Sequence, residues 1–151
     1  MLNSAELYTD GSCNTQNGLG AWVAILLSGG EKTILSGTTP DTTHNRMELY
    51  AVIAGIRHAE KAFTSIRIFS DSQYVTGLMA RKEKLTAAGF ITSKGTELRN
   101  ADLVRELYAL STQIELTFIK VKAHQKQGPA RNFNIEADKL VRKIMRDTCM
   151  E

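Results

Sequence analysis

Cysteine is scarce in this chain of 151 residues: Cys13 and Cys149 stand far apart, outside any CxxC or Cys/His pattern. That spacing argues against a zinc site and leaves two reduced thiols as the expectation. No apolar run approaches the roughly 18 residues that would suggest a membrane span. The opening MLNSAELYTDGS lacks the charged and apolar blocks of a signal peptide. A cytoplasmic protein with no membrane partner is therefore expected. Proline is equally rare, and no Pro/Gly-rich linker, internal repeat or low-complexity tract divides the sequence. One domain over residues 1–151 is expected, with a monomer as the default. Charge is nearly balanced, 19 basic against 16 acidic residues for a net +3, which permits a nucleic-acid partner without demanding one. What remains is 42% hydrophobic and 23% charged residues, ordinary for a globular protein and too apolar for a disordered one.

The charges are unevenly placed. From Leu116 to Ile135 there is no acid, yet Lys120, Lys122, Lys126 and Arg131 fall there; a second group, Arg81, Lys82 and Lys84, is interrupted by Glu83. Each reads first as solvated surface and second as a phosphate contact. Glu6–Thr9, Ala21–Leu27 and Thr33–Gly37 are short, β-branched or aromatic, and parted by Gly/Asn/Ser clusters such as Ser28-Gly29-Gly30, which predicts three antiparallel strands. Asn45 to about Ala62 predicts a helix apolar most of the way round and substantially buried. A strand over Ile66–Phe69, a helix over Ser72–Ala80, a helix over Asn100–Leu110 and a strand over Glu115–Val121 follow, while Arg81–Arg99 resists assignment. Gly128-Pro129 breaks the chain before a last helix, Ile135–Arg146, with Ile135, Leu140, Val141, Ile144 and Met145 on its inner side. This order implies an α/β domain, a mixed sheet with helices on its faces.

Four acids sit at the edges of apolar elements: Asp10, Glu48, Asp71 and Asp138. Each has a structural explanation. Asp10-Gly11 reads as a hairpin turn, Glu48 as the distal half of a capping box opening at Asn45, and Asp71 as an N-cap. Asp138 resists this, because Ile135 and Val141 place it on the same helical face as buried groups. Glu48 shares that feature through Ala51, Val52 and Gly55. If the four converge, two like charges about 4 Å apart repel by roughly 4 kcal/mol at an effective dielectric near 20. A hard divalent cation, Mg2+ or Mn2+, is the natural counter-ion for an all-oxygen cluster. Carboxylates holding two such ions are suited to phosphodiester cleavage.

YTDGSC around Asp10, NRMEL around Glu48, SDSQYV around Asp71, VKAH at His124 and NIEAD at Asp138 resemble the ribonuclease H type 1 motifs, in order and over about Glu6 to Leu140. The resemblance implies a ribonuclease H-like five-stranded mixed sheet, three antiparallel strands and then parallel ones, flanked by helices. It implies a bacterial-type endonuclease acting on the RNA strand of an RNA–DNA hybrid, with two Mg2+ ions and water attacking in line to leave 3′-hydroxyl and 5′-phosphate ends. Asp10, Glu48, Asp71 and Asp138 would hold the ions, and His124 would assist proton movement or product departure. Selectivity for RNA would come from contacts to the 2′-hydroxyl by the backbone around Gly11, Ser12 and Cys13 and by Gln16, Asn45 and Gln73; His44 is a further expected substrate-binding residue. Thr43 and Asn100 match positions that hold a DNA-strand phosphate.

The pattern breaks in places. Gln16-Asn17-Gly18 replaces Asn-Pro-Gly, His44 stands where many relatives carry Asn, and Asp41 where a basic residue often helps hold phosphate. Ala123 precedes His124 where Gly is common. Residues 81–99 match the family's basic handle in length but carry no tryptophan and modest charge, which predicts weaker hybrid binding with a shallow salt dependence. Two other readings stand beside the free-standing enzyme: the ribonuclease H domain of a reverse transcriptase, and a catalytically silent hybrid-binding module. Met1 close to the first strand and a chain end soon after the last helix favour the free-standing form; retention of all four acids weighs against the silent one.

Overall fold

The computed structural model describes residues 4–121 and 129–149. Strand β1 (Ser4–Cys13) is central. It pairs antiparallel with β2 (Gly20–Ser28), which pairs antiparallel with β3 (Glu31–Thr39). On its other side β1 runs parallel to β4 (Ser65–Ser70), and β4 parallel to β5 (Glu115–Lys120), so the sheet order is β3-β2-β1-β4-β5. The predicted mixed sheet of three antiparallel and then parallel strands is observed. Ser28 faces Glu31 across Gly29 and Gly30, whose φ values of 56° and 85° suit a two-residue hairpin turn that L side chains would strain.

Alternation along β1 divides the core. Ala5 and Leu7 point to the face covered by α1 (His44–Ala59) and α4 (Ala101–Leu110), while Tyr8 points to the face covered by α5 (Pro129–Cys149). Helix α1 buries Met47, Leu49, Ala51, Val52, Ile53, Gly55, Ile56 and Ala59, as its near-continuous apolar surface predicts. On the opposite face Tyr8 stacks on Phe69 with centroids 4.6 Å apart, and Ala137 and Val141 of α5 close the layer.

Three expectations change. Asp10-Gly11 is not a hairpin: β1 continues to Cys13, and the reversal falls at Asn14–Leu19, where Gly18 takes φ 75° and Asn14 Oδ1 accepts the Gln16 N–H at 2.9 Å. Helix α5 begins at Pro129 rather than Ile135, because proline in a first helical turn lacks an N–H the helix does not need there. Ile135 is not among the α5 side chains packed on the sheet; Ala137 and Val141 are the buried ones, with Leu140, Ile144 and Met145 against them. The helix predicted over Ser72–Ala80 is α2 (Gln73–Leu78) followed by a 3-10 turn (Met79–Arg81), and the unassigned stretch beyond it opens with a short α3 (Lys82–Ala87). It is tied down by Lys82 Nζ donating to Ser111 Oγ at 2.8 Å, and by Phe90, which packs on Tyr108 beneath the Arg105 guanidinium.

Candidate active site

The register of the parallel pair explains how two distant acids meet. Tyr8 lies beside Phe69, the last pair of the parallel ladder, so Asp10 within β1 and Asp71 just after β4, each two residues further on, stand level with one another where that ladder ends. Such ends are where open α/β sheets carry their sites. Around Asp71 the chain is pinned on both sides. Ser70 is buried and its hydroxyl accepts the Ser72 N–H at 3.0 Å, while Ser72, not Asp71, caps α2 by accepting the Val75 N–H at 3.2 Å.

Glu48 arrives from α1. The cap of that helix is Thr43, whose Oγ1 accepts the Arg46 N–H at 3.2 Å, so Glu48 lies beyond the first turn and is not half of a capping box. The helix reaches the sheet because residue 11 is glycine: a Cβ there would stand 2.5 Å from the Glu48 nitrogen and 2.5 Å from the Met47 carbonyl carbon. One carboxylate oxygen each from Asp10, Glu48 and Asp71 then lie within 4.8 Å of one another.

Asp138 comes to the same edge from α5 but stands outside that three-acid cluster. Asn134, one turn earlier, donates from Nδ2 to the Phe69 carbonyl at 3.3 Å, which anchors the helix beside the end of β4, and the Asp138 charge acts on Asp10. The sequence places this carboxylate on a buried face; instead its side chain is 43% exposed and ion-paired with Arg142 at 3.2 Å. The i,i+4 spacing of that pair was visible in the sequence.

Burial, then the neighbouring Asp71 and Asp138 charges, push Asp10 up to about 8 against the Gly11 N–H that donates to it. Burial, then Asp10 and Asp71, push Glu48 up to about 9. Glu48 Oε2 is buried and has no hydrogen-bond partner among the described residues. Desolvated acids with an unused lone pair fit a divalent cation, and oxygen-only ligation suits a hard one. Both carboxyls are raised from an ordinary value near 4, so the metal-free fold favours their protonated forms. That contribution is complete below about pH 4 and is lost as pH rises through 8 to 9. Expected result: in EDTA the melting temperature falls between pH 5.5 and 8.5, and the increase caused by Mg2+ is small at pH 5.5 and large at pH 8.5. Differential scanning calorimetry at both values checks this, and an equal Mg2+ effect at both would overturn it.

The other expected site residues fall around the same edge. Gly11 and Cys13 are buried and Ser12 half-buried, while Gln16, Thr43, His44, Asn45 and Gln73 are exposed. Cys13 is inward: its thiol donates to the Thr42 carbonyl at 3.2 Å, and its N–H donates to His44 Nδ1 at 3.2 Å. With Nδ1 accepting, the neutral His44 ring carries its proton on Nε2. His44→Ala removes this acceptor and should lower the melting temperature by about 2–4 °C, from roughly 1 kcal/mol for one hydrogen bond; an unchanged melting curve would count against the bond. Asn100, at φ 61°, donates to the Tyr74 hydroxyl at 3.3 Å and accepts from Arg46 Nη1 at 3.4 Å. Arg46 itself is held in a two-point grip by Asp102, at 3.0 and 2.7 Å. Arg46 joins Thr43 to Asn100, a role its place within NRMEL could have suggested. His124 lies outside the described residues.

A mixed sheet with clustered, desolvated carboxylates at its carboxyl edge defines the class: a metal-dependent nuclease fold. The chain belongs to the RNase H family, whose sequence model matches residues 3–146. It is similar to Ribonuclease H of Thermoanaerobacter sp. (strain X514), 39% identical over 125 residues covering 82% of this chain and 80% of that protein. Ribonuclease H of Ehrlichia canis (strain Jake) is 37% identical over 142 residues, 93% and 94% of the two chains. That of Francisella philomiragia subsp. philomiragia is 38% identical over 145 residues, 95% and 91%. These bacterial relatives, matched over most of their own length, set aside the reading as a reverse-transcriptase domain.

Proposed function

We propose that this single-domain protein is an endoribonuclease that hydrolyses the RNA strand of RNA–DNA hybrids, acting as a cytoplasmic monomer. The carrying observation is the convergence of Asp10, Glu48 and Asp71 from β1, α1 and the end of β4, with Glu48 Oε2 lacking a hydrogen-bond partner among the described residues; Asp138 of α5 acts electrostatically on Asp10. No helix among the described residues is long and apolar enough to cross a membrane.

Asp10, Glu48, Asp71 and Asp138 are the residues that would hold two Mg2+ ions, or Mn2+ in their place. When bound, such ions stabilise the attacking and leaving oxygens of an in-line displacement at phosphorus. By the family resemblance Asp10 would be the carboxylate shared between the two ions. Partial burial of Asp10 and Glu48 strengthens the electrostatic interactions of these two carboxylates relative to bulk water. His124 is assigned to proton movement or product departure. The N–H edge of Gly11–Cys13, with Gln16, His44, Asn45 and Gln73, is assigned to the RNA 2′-hydroxyls; the Cys13 amide takes part only if His44 releases it. Thr43 and Asn100, joined by Arg46, are assigned to a DNA-strand phosphate. Backbone recognition of this kind implies little sequence dependence.

The test is cleavage of a labelled RNA–DNA hybrid by purified protein with Mg2+, Mn2+ or EDTA, beside duplex RNA, duplex DNA and single-stranded RNA. Metal-dependent cutting confined to the RNA of the hybrid is expected. Tight hybrid binding with no cutting in either metal would replace the enzyme by a silent binding module.

A further inference from the structure

Helix α5 brings Asp138 beside Asp10, and its outward surface carries four cations, Lys139, Arg142, Lys143 and Arg146, with the acids Glu136 and Asp147. At about 100° per residue, Arg142 lies roughly 40° round the helix from Asp138, Arg146 roughly 80°, Lys139 roughly 100° and Lys143 roughly 140°. The buried Ala137 and Val141 face the other way, into the sheet. The four cations, with Ile135, Leu140 and the acid Glu136, line an open groove of about 730 Å3 along the helix.

The acids near this flank are already engaged. Glu136 pairs with Lys32 at 2.5 Å, Asp147 with Lys143 at 3.7 Å, and Asp138 with Arg142 at 3.2 Å. Lys139 and Arg146 have no ion pair among the described residues. The flank therefore keeps unneutralised positive charge at Lys139, next to Asp138, and at Arg146, seven residues further on. At a rise of about 1.5 Å per residue that separation is about 10 Å, on the order of three nucleotides at roughly 3.4 Å per step of one strand.

We propose that the outward flank of α5, through Lys139, Arg142, Lys143 and Arg146, is a phosphate-binding track that grips the RNA strand of the hybrid on one side of the cleavage point. The inference rests on the reading given above as Proposed function. Charge complementarity names a polyanion as the occupant, and continuity with Asp138 makes it the strand being cut rather than its complement. The Thr43, Arg46 and Asn100 group, on the α1 and α4 side of the sheet, is left for the DNA strand. The track supplies electrostatic grip where the tryptophan-free handle supplies little, so the shallow salt dependence expected from the handle alone is steepened.

The experiment compares Lys139→Gln/Arg146→Gln with a charge-matched double variant at the far end of α1, Arg57→Gln/Lys61→Gln. Both are made on an Asp10→Asn background so that the hybrid survives. Affinity for a fluorescent RNA–DNA hybrid is followed by anisotropy across a salt series, and wild-type protein is assayed for Mg2+-dependent cleavage in parallel. Each lost phosphate contact should flatten the log–log salt slope by about 0.9, so the α5 variant should lose roughly 1 to 2 from its slope while the α1 variant keeps the parental slope. An unchanged slope in the α5 variant, or an equal loss in both, overturns the track. If wild type cleaves while the slope is unchanged, the nuclease reading stands and the track falls; if the slope drops while wild type fails to cleave, the track stands and the nuclease reading falls.

Discussion

Asp10→Asn should abolish cleavage while leaving the protein folded and, without metal, more stable. Asp10 lies in the cluster with Glu48 and Asp71, and burial, then the Asp71 and Asp138 charges, raise it. Asparagine keeps the shape and the acceptor for the Gly11 N–H but removes the charge. Two consequences oppose each other in sign. The metal-free fold loses a desolvated anion and its repulsion, so in EDTA at pH 8.5 the variant should melt at or above wild type. The metal-loaded fold loses the ligand shared across the cluster, so the Mg2+-dependent rise in melting temperature should shrink and the cleavage rate fall by more than roughly 10³-fold. That loss exceeds the 10²–10³ that follows removal of one electrostatic donor from an active site. Single-turnover cleavage of a labelled hybrid and calorimetry with and without Mg2+ read both effects. Retained Mg2+-dependent activity would remove Asp10 from the mechanism, and a lower melting temperature in EDTA would show that the charge is compensated by something other than metal.

Much of this site was legible because its parts are local. Each acid falls within a short motif, and each of those motifs is built from a strand end or a helix turn that the surrounding residues specify. The strands around Tyr8 and Phe69 were readable from their branched and aromatic residues, and α1 from its apolar surface. What could not be read was whatever depends on pairing between distant segments. The Asp10-Gly11 dipeptide carries the composition of a hairpin turn, yet β1 passes straight through it because Val23 and Trp22 of β2 pair with those two residues. A local turn preference worth little beside two ladder partners loses to the sheet. The capping readings of Glu48 and Asp71 failed by small offsets, since Thr43 and Ser72 supplied better-placed hydroxyls. The exposure of Asp138 was hidden for another reason: helical periodicity says which residues share a face, but the depth of that face depends on how α5 seats on the sheet through Ala137, Val141 and Asn134.

Gly11→Ala should damage both the fold and the site, and it separates the two consequences of close packing. The added methyl would meet backbone, not a movable side chain: the Glu48 nitrogen and the Met47 carbonyl carbon at 2.5 Å, and the Met47 oxygen at 2.7 Å. Relief requires α1 to retreat from β1. That helix buries Met47, Leu49, Val52 and Ile56 against the sheet, so its retreat opens the main core as well as the junction. Overpacking of this severity costs about 3 kcal/mol, a fall of on the order of 6–12 °C in melting temperature for a domain of this size. The same movement carries Glu48 away from Asp10 and Asp71, which now lie within 4.8 Å of it. Loss of that neighbour should weaken the Mg2+-dependent stabilisation in the variant that remains folded at 20 °C. Cleavage at 20 °C should fall by at least tenfold, as expected for a positioned group displaced by about 1 Å. If activity at 20 °C is unchanged while stability falls, α1 tolerates the methyl without moving Glu48, and the acid cluster does not depend on the close approach at Gly11.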